Sequence, residues 1–235
     1  MSHNDSSFIK PSACALGKCA LVGAGPGDPE LLTLKAVKAI QAASVLFVDD
    51  LVNDAVLNHA SPTARIVHVG KRGGCKSTPQ TFIEKLMISA VNEGETVVRL
   101  KGGDPFIFGR GSEEIDHIET FGIETEVNSG ISSAMAVPAS VGIPLTRRGI
   151  SESFWVITGT TSERKLSKDV YLAAQSTATV VILMGMSKLS EIVSIYKKFN
   201  KNEVPTAIIQ NGTTASEKIG LGTINTIEEV VAKNK

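Results

Sequence analysis

The sequence predicts an α/β protein whose first half forms a parallel β-sheet. Short apolar runs alternate with amphipathic segments, which is typical of a parallel sheet covered by helices on both faces. Glycine-rich loops follow several of the predicted strands. Residues 142–151 combine Pro, Gly and paired Arg, as expected of a linker before a second α/β unit. We therefore predict a flexible tail over residues 1–18 and two α/β domains over residues 19–142 and 143–235.

The elements follow from the hydrophobic periodicity, taken along the chain. Strands are predicted over residues 19–22, 45–48, 65–69, 96–100, 124–127, 154–158, 179–184 and 206–209. Thr33 is placed to cap a helix that begins at Leu34. Further helices are predicted over residues 54–59, 79–91, 113–121, 132–141, 187–199 and 227–232. In the helix over residues 79–91, we expect Phe82, Leu86 and Ala90 to face the core.

The composition is that of an ordinary globular protein. Its 235 residues include 24 Lys+Arg and 24 Asp+Glu, so a nucleic-acid-binding role is not expected. No apolar run approaches the length of about 20 residues that crosses a bilayer, and we expect no membrane partner. The three cysteines, Cys14, Cys19 and Cys75, have no C-x-x-C spacing. The sequence therefore predicts no disulfide framework, no metal site and a reducing, cytoplasmic location.

The first loop, G-A-G-P-G-D over residues 23–28, invites comparison with a dinucleotide-binding turn. Asp49 lies at about the distance where such proteins carry a ribose-binding acid. Asp28 occupies the position of the third glycine, where its carboxylate would meet a pyrophosphate. A ligand without phosphate is therefore favoured over a dinucleotide, but for this loop taken alone an ordinary Gly-Pro turn capped by Asp28 is the preferred interpretation.

The loop after the fourth strand, K-G-G-D-P-F-I-F-G-R-G over residues 101–111, is more specific. Its adjacent glycines, Gly102 and Gly103, allow backbone atoms to approach a ligand closely. Phe106 and Phe108 have no use in a solvated turn, so we expect them to form a pocket floor.

A basic patch is predicted over residues 65–76, which contain no acid. Its members are Arg65, Lys71, Arg72 and Lys76, and Arg99, Lys101, Arg110, Arg147 and Arg148 extend it if the loops converge. In a chain of zero net charge, such a patch favours a small polycarboxylate ligand.

Six stretches together resemble the uroporphyrinogen-III C-methyltransferases, a branch of the tetrapyrrole methylase family. They are V-G-A-G-P-G-D-P-E-L-L-T-L-K-A (22–36), V-D-D-L-V (48–52), V-G-K-R-G-G-C-K-S-T-P-Q (69–80), R-L-K-G-G-D-P-F-I-F-G-R-G (99–111), S-G-I-S-S (129–133) and G-I-P-L-T-R-R (142–148). The resemblance spans about residues 18–230.

The resemblance implies two α/β domains with a mainly parallel sheet in the first, a mixed sheet in the second and the active site between them. It also implies a homodimer that uses S-adenosylmethionine to methylate two pyrrole rings of uroporphyrinogen III, giving precorrin-2 for sirohaem or cobalamin. Asp49 and Lys71 correspond to the proton acceptor and donor. The corresponding cofactor positions are Pro26, Gly102, Gly103, Asp104, Ile107, Ser132, Ser133, Met184 and Gly212. Position suggests that the substrate carboxylates meet Arg72, Lys76, Arg110, Arg147 and Arg148.

Three alternatives stay open from the sequence. A methylase of a later precorrin would share the fold, but the G-K-R-G-G stretch and the loop over residues 101–111 favour the first methylation. A nicotinamide-dependent oxidoreductase would use the G-A-G turn and Asp49, but it lacks the third glycine. A non-catalytic tetrapyrrole-binding protein would keep the basic patch without needing Asp49.

Overall fold

The computed structural model describes residues 17–70 and 79–233. The strands are β1 Lys18–Gly23, β2 Val45–Val48, β3 Arg65–His68, β4 Thr96–Lys101, β5 Thr125–Asn128, β6 Phe154–Thr158, β7 Thr179–Leu183, β8 Pro205–Gln210 and β9 Lys218–Thr223. The α-helices are α1 Leu34–Ala42, α2 Gln80–Asn92, α3 Gly111–Glu119, α4 Ser133–Ser140, α5 Asp169–Ala173, α6 Leu189–Lys198 and α7 Ile227–Lys233. Short 3₁₀ helices cover Pro29–Leu31, Asp54–His59 and Met186–Lys188.

The first five strands form one sheet in the order β3-β2-β4-β1-β5, and every pairing is parallel. The chain passes from β1 to β2 and β3 on one side, then returns to place β4 in the centre. The register aligns the strand ends, since Gly23 pairs with Lys101 and Val48 with Leu100. The loops after β1, β2 and β4 therefore leave the sheet at the same edge, which confirms the predicted parallel sheet.

Two hydrophobic clusters cover the faces of this sheet. Alternate strand residues point to opposite faces, so Val97 joins the cluster under α2 while Val98 joins the cluster under α1. Thr33 caps α1 as predicted, its Oγ1 accepting from the Ala36 N–H at 3.1 Å. Of the three residues predicted to face the core from α2, Ala90 is buried and Leu86 packs against the core, but Phe82 is 52% exposed and the neighbouring Ile83 is buried in its place.

The second half has both parallel and antiparallel pairs, but they form two separate sheets instead of one mixed sheet. β6 pairs with β7 in parallel, and β8 pairs with β9 as an antiparallel hairpin. The hydrophobic cluster between them includes Ile157, Tyr196 and Ile227. The division of the chain after residue 142 stays a prediction.

Strand β9 and helix α5 are absent from the sequence prediction. In β9 the reason is Gly220 and Gly222, which weaken the strand signal. A Cβ at Gly220 would lie 3.0 Å from Val230 Cγ1, and one at Gly222 would lie 2.7 Å from Thr226 Oγ1. Both glycines therefore allow the chain around α7 to pack closely on the hairpin. None of the helices in the described ranges is long and apolar enough to span a membrane.

Candidate active site

A cavity of about 1710 Å³ lies at the carboxyl edge of the parallel sheet. It is lined by the loops after β1, β2 and β4 and by the second half of the chain around β7 and β8. Pockets for a single drug-sized ligand hold roughly 300–1,000 Å³, so this cavity has room for more than one small molecule. The predicted site residues on its wall are Pro26, Asp49, Gly102, Gly103, Asp104, Ile107, Arg110, Ser132, Ser133, Met184 and Gly212.

Three loops at the cavity are joined by hydrogen bonds from backbone groups and from the Asp104 carboxylate. The Gly103 N–H donates to the Gly25 carbonyl at 2.7 Å, and the Gly25 N–H donates to the Gly103 carbonyl at 3.3 Å. The Asp104 carboxylate accepts from the Phe106 N–H at 2.8 Å and from the Gly130 N–H at 3.0 Å. Asp104 therefore holds the loop after β4 against the loop after β5.

The three predicted glycines of the cofactor site have different surroundings. A Cβ at Gly102 would lie 2.6 Å from Leu51 Cβ, and one at Gly212 would lie 2.4 Å from Val137 Cγ1. These two glycines allow close packing. Gly103 has a φ of +66°, and its nearest neighbour to an added Cβ is the Ser132 Cα at 3.9 Å. Gly103 alone of the three therefore keeps open space that a ligand can fill.

The first loop is fixed by contacts that reach both halves of the chain. Asp28 Oδ1 accepts from the Glu30 N–H at 2.9 Å, so its carboxylate caps the following 3₁₀ helix. The Asp28 N–H donates to Thr213 Oγ1 at 3.2 Å. Asn53 Nδ2 donates to the Gly27 carbonyl at 2.7 Å. A carboxylate therefore stands at the start of the 3₁₀ helix, where its negative charge would repel a pyrophosphate, and this disfavours a dinucleotide there.

Asn53 and Thr213 are missing from the sequence prediction. Asn53 immediately precedes the helix predicted over residues 54–59, and its side chain caps that helix by accepting from the Ala55 N–H at 3.0 Å. No sequence pattern links either residue to the first loop, because both contacts join distant parts of the chain.

Asp49 follows β2 at the cavity wall and belongs to a cluster of four charged side chains. Arg99 and Lys101 lie on β4 and Glu114 on α3, and these three are 2%, 4% and 0% exposed. Arg99 Nη2 lies 3.9 Å from Asp49 Oδ2, and Arg99 Nε lies 3.3 Å from Glu114 Oε2. Lys101 Nζ donates to Glu114 Oε1. We call Asp49, Arg99, Lys101 and Glu114 the charge cluster.

The charge cluster corrects part of the predicted basic patch. Arg99 and Lys101 reach the cavity wall, but Glu114 pairs with both beneath it. Burial, followed by the neighbouring Arg99 charge, lowers the pKa of Lys101 below its ordinary value. Glu114 was not predicted. Arg99 and Lys101 point to the same face of a central strand, so the sequence indicates that a buried acid must pair with them. It does not indicate which acidic residue this is.

The other predicted cations differ in their positions. Arg65 pairs with Glu95 at 3.2 Å. Arg110 lines the cavity and donates from Nε to Glu113 at 2.9 Å, and this bond raises its pKa. Arg147 and Arg148 lie in an exposed turn and are not part of the cavity wall. Lys71, Arg72 and Lys76 lie outside the described residues.

The apolar residues that line the cavity agree only partly with those predicted to form its floor. Phe108 and Ile107 line the cavity, whereas Phe106 does not. Met184, at the end of β7, contributes from the opposite side with a φ of +57°. Ser132 caps α4, its Oγ accepting from the Ala134 N–H at 3.2 Å. Within the described ranges, no group of three or more His, Cys, Asp or Glu side chains is placed to hold a metal ion.

Fold and site together define an α/β protein with a ligand cavity between a parallel sheet and a second unit. The sequence matches the Tetrapyrrole (Corrin/Porphyrin) Methylases over residues 18–228. The chain belongs to this family.

Relatives of named activity support the same family. The uroporphyrinogen-III C-methyltransferase of Methanocaldococcus jannaschii is 46% identical over 219 residues, covering 92% of this chain and 90% of that protein. The enzyme of the same name from Pseudomonas aeruginosa is 48% identical over 207 residues, covering 86% and 82%. The crystal structure of uroporphyrin-III C-methyl transferase from Thermus thermophilus with S-adenyl homocysteine has a TM-score of 0.77 and 34% identity, covering 91% and 86%.

Proposed function

We propose that this protein is an S-adenosylmethionine-dependent C-methyltransferase that methylates uroporphyrinogen III at two pyrrole rings, giving precorrin-2 for sirohaem or cobalamin. The observation that carries the proposal is one cavity that contains both the open glycine position, Gly103, and an accessible carboxylate, Asp49. Relatives at 46% and 48% identity are named uroporphyrinogen-III C-methyltransferases, which supports this substrate and this type of transfer.

The wall of the cavity fits S-adenosylmethionine, which has no phosphate. Asp28 occupies the anion position of the first loop, and Gly103 leaves space for close approach. When bound, the cofactor supplies an electrophilic methyl group on its sulfonium. We assign cofactor contacts to Pro26, Gly102, Gly103, Asp104, Ile107, Ser132, Ser133, Met184 and Gly212. Gly102 and Gly212 also let Leu51 and Val137, which line the cavity themselves, pack closely against these two loops.

The chain's own contribution is positioning and proton handling. Holding the pyrrole carbon in line with the methyl group supplies much of the rate, because it removes the entropic cost of the encounter. Asp49, which is 32% exposed at its side chain and lines the cavity, takes the proton released from the methylated ring. We assign proton donation to Lys71. Substrate carboxylates meet Arg72, Lys76 and Arg110, with Arg147 and Arg148 as outer contacts.

The function is tested by transfer of a labelled methyl group from S-adenosylmethionine to uroporphyrinogen III. We expect two labels per tetrapyrrole. Labelling of a later precorrin but not of uroporphyrinogen III would assign the protein to another reaction of the family. Binding of the tetrapyrrole without transfer would indicate a non-catalytic protein.

Arg72→Ala and Lys76→Ala are expected to raise the KM for uroporphyrinogen III while leaving the affinity for S-adenosylhomocysteine unchanged. The increase should shrink at high salt, since exposed charges are screened within about 8–10 Å. Steady-state kinetics at several salt concentrations measure it, with Lys165→Ala, whose lysine pairs with Glu163, as the control. Equal losses for cofactor and substrate would contradict this division of roles.

The protein is expected to be a homodimer. Sedimentation at micromolar concentration should give about twice the chain mass of 24.8 kDa. A species at the mass of one chain would contradict this assembly.

For the compartment we propose the reducing cytoplasm. Within the described residues, Cys19 is a free, buried cysteine, and burial followed by the Glu114 charge raises its pKa to about 12. Such a thiol stays protonated and unreactive at neutral pH. Cell fractionation tests the location.

A further inference from the structure

The charge cluster contains three buried ionic side chains that the proposed reaction does not use directly. Arg99 and Lys101 project from the central strand β4 towards α3, where Glu114 is fully buried. Burying an ion is costly unless it is well paired, and apolar side chains of similar volume often give equal or greater stability. Stability alone therefore does not account for this arrangement.

A chain of contacts links the buried Glu114 to Asp49 at the cavity wall. Glu114 Oε1 accepts from Lys101 Nζ, and Glu114 Oε2 lies 3.3 Å from Arg99 Nε. Arg99 Nη1 donates to the Leu100 carbonyl at 3.2 Å and to the Phe47 carbonyl at 3.4 Å. The two Nη1 hydrogen bonds hold the guanidinium in place, and Glu114 adds an ion pair to Nε that lacks hydrogen-bond geometry.

The remaining nitrogen of Arg99, Nη2, lies 3.9 Å from Asp49 Oδ2. Asp49 is tied on its other side as well, because its Oδ1 accepts from the Asp50 N–H at 3.1 Å. Arg99 is thus the connection between a buried carboxylate and the carboxylate at the cavity wall. The cluster has two cations and two anions, so its charges balance only when Asp49 is counted.

We infer that Glu114 is a positioning residue that orients the Asp49 carboxylate towards the substrate by fixing Arg99. This inference rests on the proposed function, since it concerns the proton-accepting role of Asp49. It assigns to α3 a part in methyl transfer although its Glu114 does not reach the substrate.

A double-mutant cycle between Glu114 and Asp49 tests the inference. Glu114→Gln in the wild-type background is expected to lower kcat for methyl transfer about tenfold, which is the size of coupling seen within one ion-pair network. The KM for uroporphyrinogen III and the affinity for S-adenosylhomocysteine should change less than about twofold, because neither ligand contacts Glu114. In the Asp49→Asn background, where there is no base to orient, Glu114→Gln should lower kcat by less than about twofold.

Two further variants separate positioning from folding. Asp116→Asn changes an exposed acid on the same helix and should leave kcat unchanged. Glu114→Asp keeps a negative charge next to Arg99 and Lys101, so the two buried cations are still neutralised. This variant therefore serves as the test if Glu114→Gln folds poorly. The shorter side chain cannot hold Arg99 in place, and we expect a smaller kcat loss that again disappears in the Asp49→Asn background.

Equal fold-losses in the two backgrounds would overturn the inference, and so would a parallel loss of cofactor affinity and kcat. An Asp49→Asn variant with wild-type turnover would overturn it too. Methyl transfer by the wild-type protein is measured alongside. If the wild type does not methylate uroporphyrinogen III, both the proposed function and the inference are wrong. If the wild type is active but the effects of Glu114→Gln and Asp49→Asn on kcat are additive, only the inference is wrong.

Discussion

Asp49→Asn is expected to lower the turnover of methyl transfer to uroporphyrinogen III by about 10²–10⁴-fold, the range over which general bases contribute. The amide keeps the size and hydrogen-bonding reach of the carboxylate but cannot accept the proton. Single-turnover measurement with labelled S-adenosylmethionine gives the loss directly. The affinity for S-adenosylhomocysteine should stay unchanged, because Asp49 acts on the substrate side of the cavity.

The neighbouring Asp50 provides the matched control. It lies in the same loop and also lines the cavity, but it packs against Gly70, where an added Cβ would meet its Oδ1 at 2.0 Å. Asp50→Asn should therefore have a mild effect on turnover. Near-normal turnover in Asp49→Asn, or loss of stability and cofactor binding together, would assign Asp49 to turn formation instead.

Gly103→Ala is expected to weaken binding of S-adenosylhomocysteine at least about tenfold, since the new methyl group would project into space that the ligand needs. The backbone at Gly103 has a φ of +66° and only the Ser132 Cα, at 3.9 Å, near the added Cβ. Calorimetric titration measures the affinity. A larger side chain such as valine should abolish binding, at a further cost in backbone strain.

Gly122→Ala separates lost binding from backbone strain. Gly122 has a φ of +75° with no atom within 4 Å of an added Cβ, so it carries a comparable conformational cost without a ligand nearby. Both alanine variants should lose about 1 kcal/mol of stability. Only the Gly103 variant should lose affinity. Unchanged affinity in Gly103→Ala would remove the loop after β4 from the cofactor site.

Much of this architecture can be predicted from local patterns in the sequence. The apolar run over residues 45–48 predicts β2, and Thr33 predicts the start of α1, because periodicity and capping depend on neighbours along the chain. In the second half, β9 was not predicted, because Gly220 and Gly222 weaken the strand pattern. The reason for these glycines is the packing of α7 against the hairpin, which the sequence does not show. Phe82 was placed on the wrong face of α2, because a helical pattern leaves the exact direction of the core open.

The sequence by itself determined that glycine-rich loops and Asp49 meet at one edge of a parallel sheet, because parallel strands end on the same side. Only the tertiary structure decided which polar groups face the cavity. Arg99 and Lys101 reach the cavity wall, where they could extend the basic patch, but Glu114 from α3 pairs with both beneath it. Likewise, only packing shows that Gly102 accommodates Leu51 while Gly103 faces open space. Both distinctions depend on contacts between segments far apart in the chain, and no local pattern encodes such contacts.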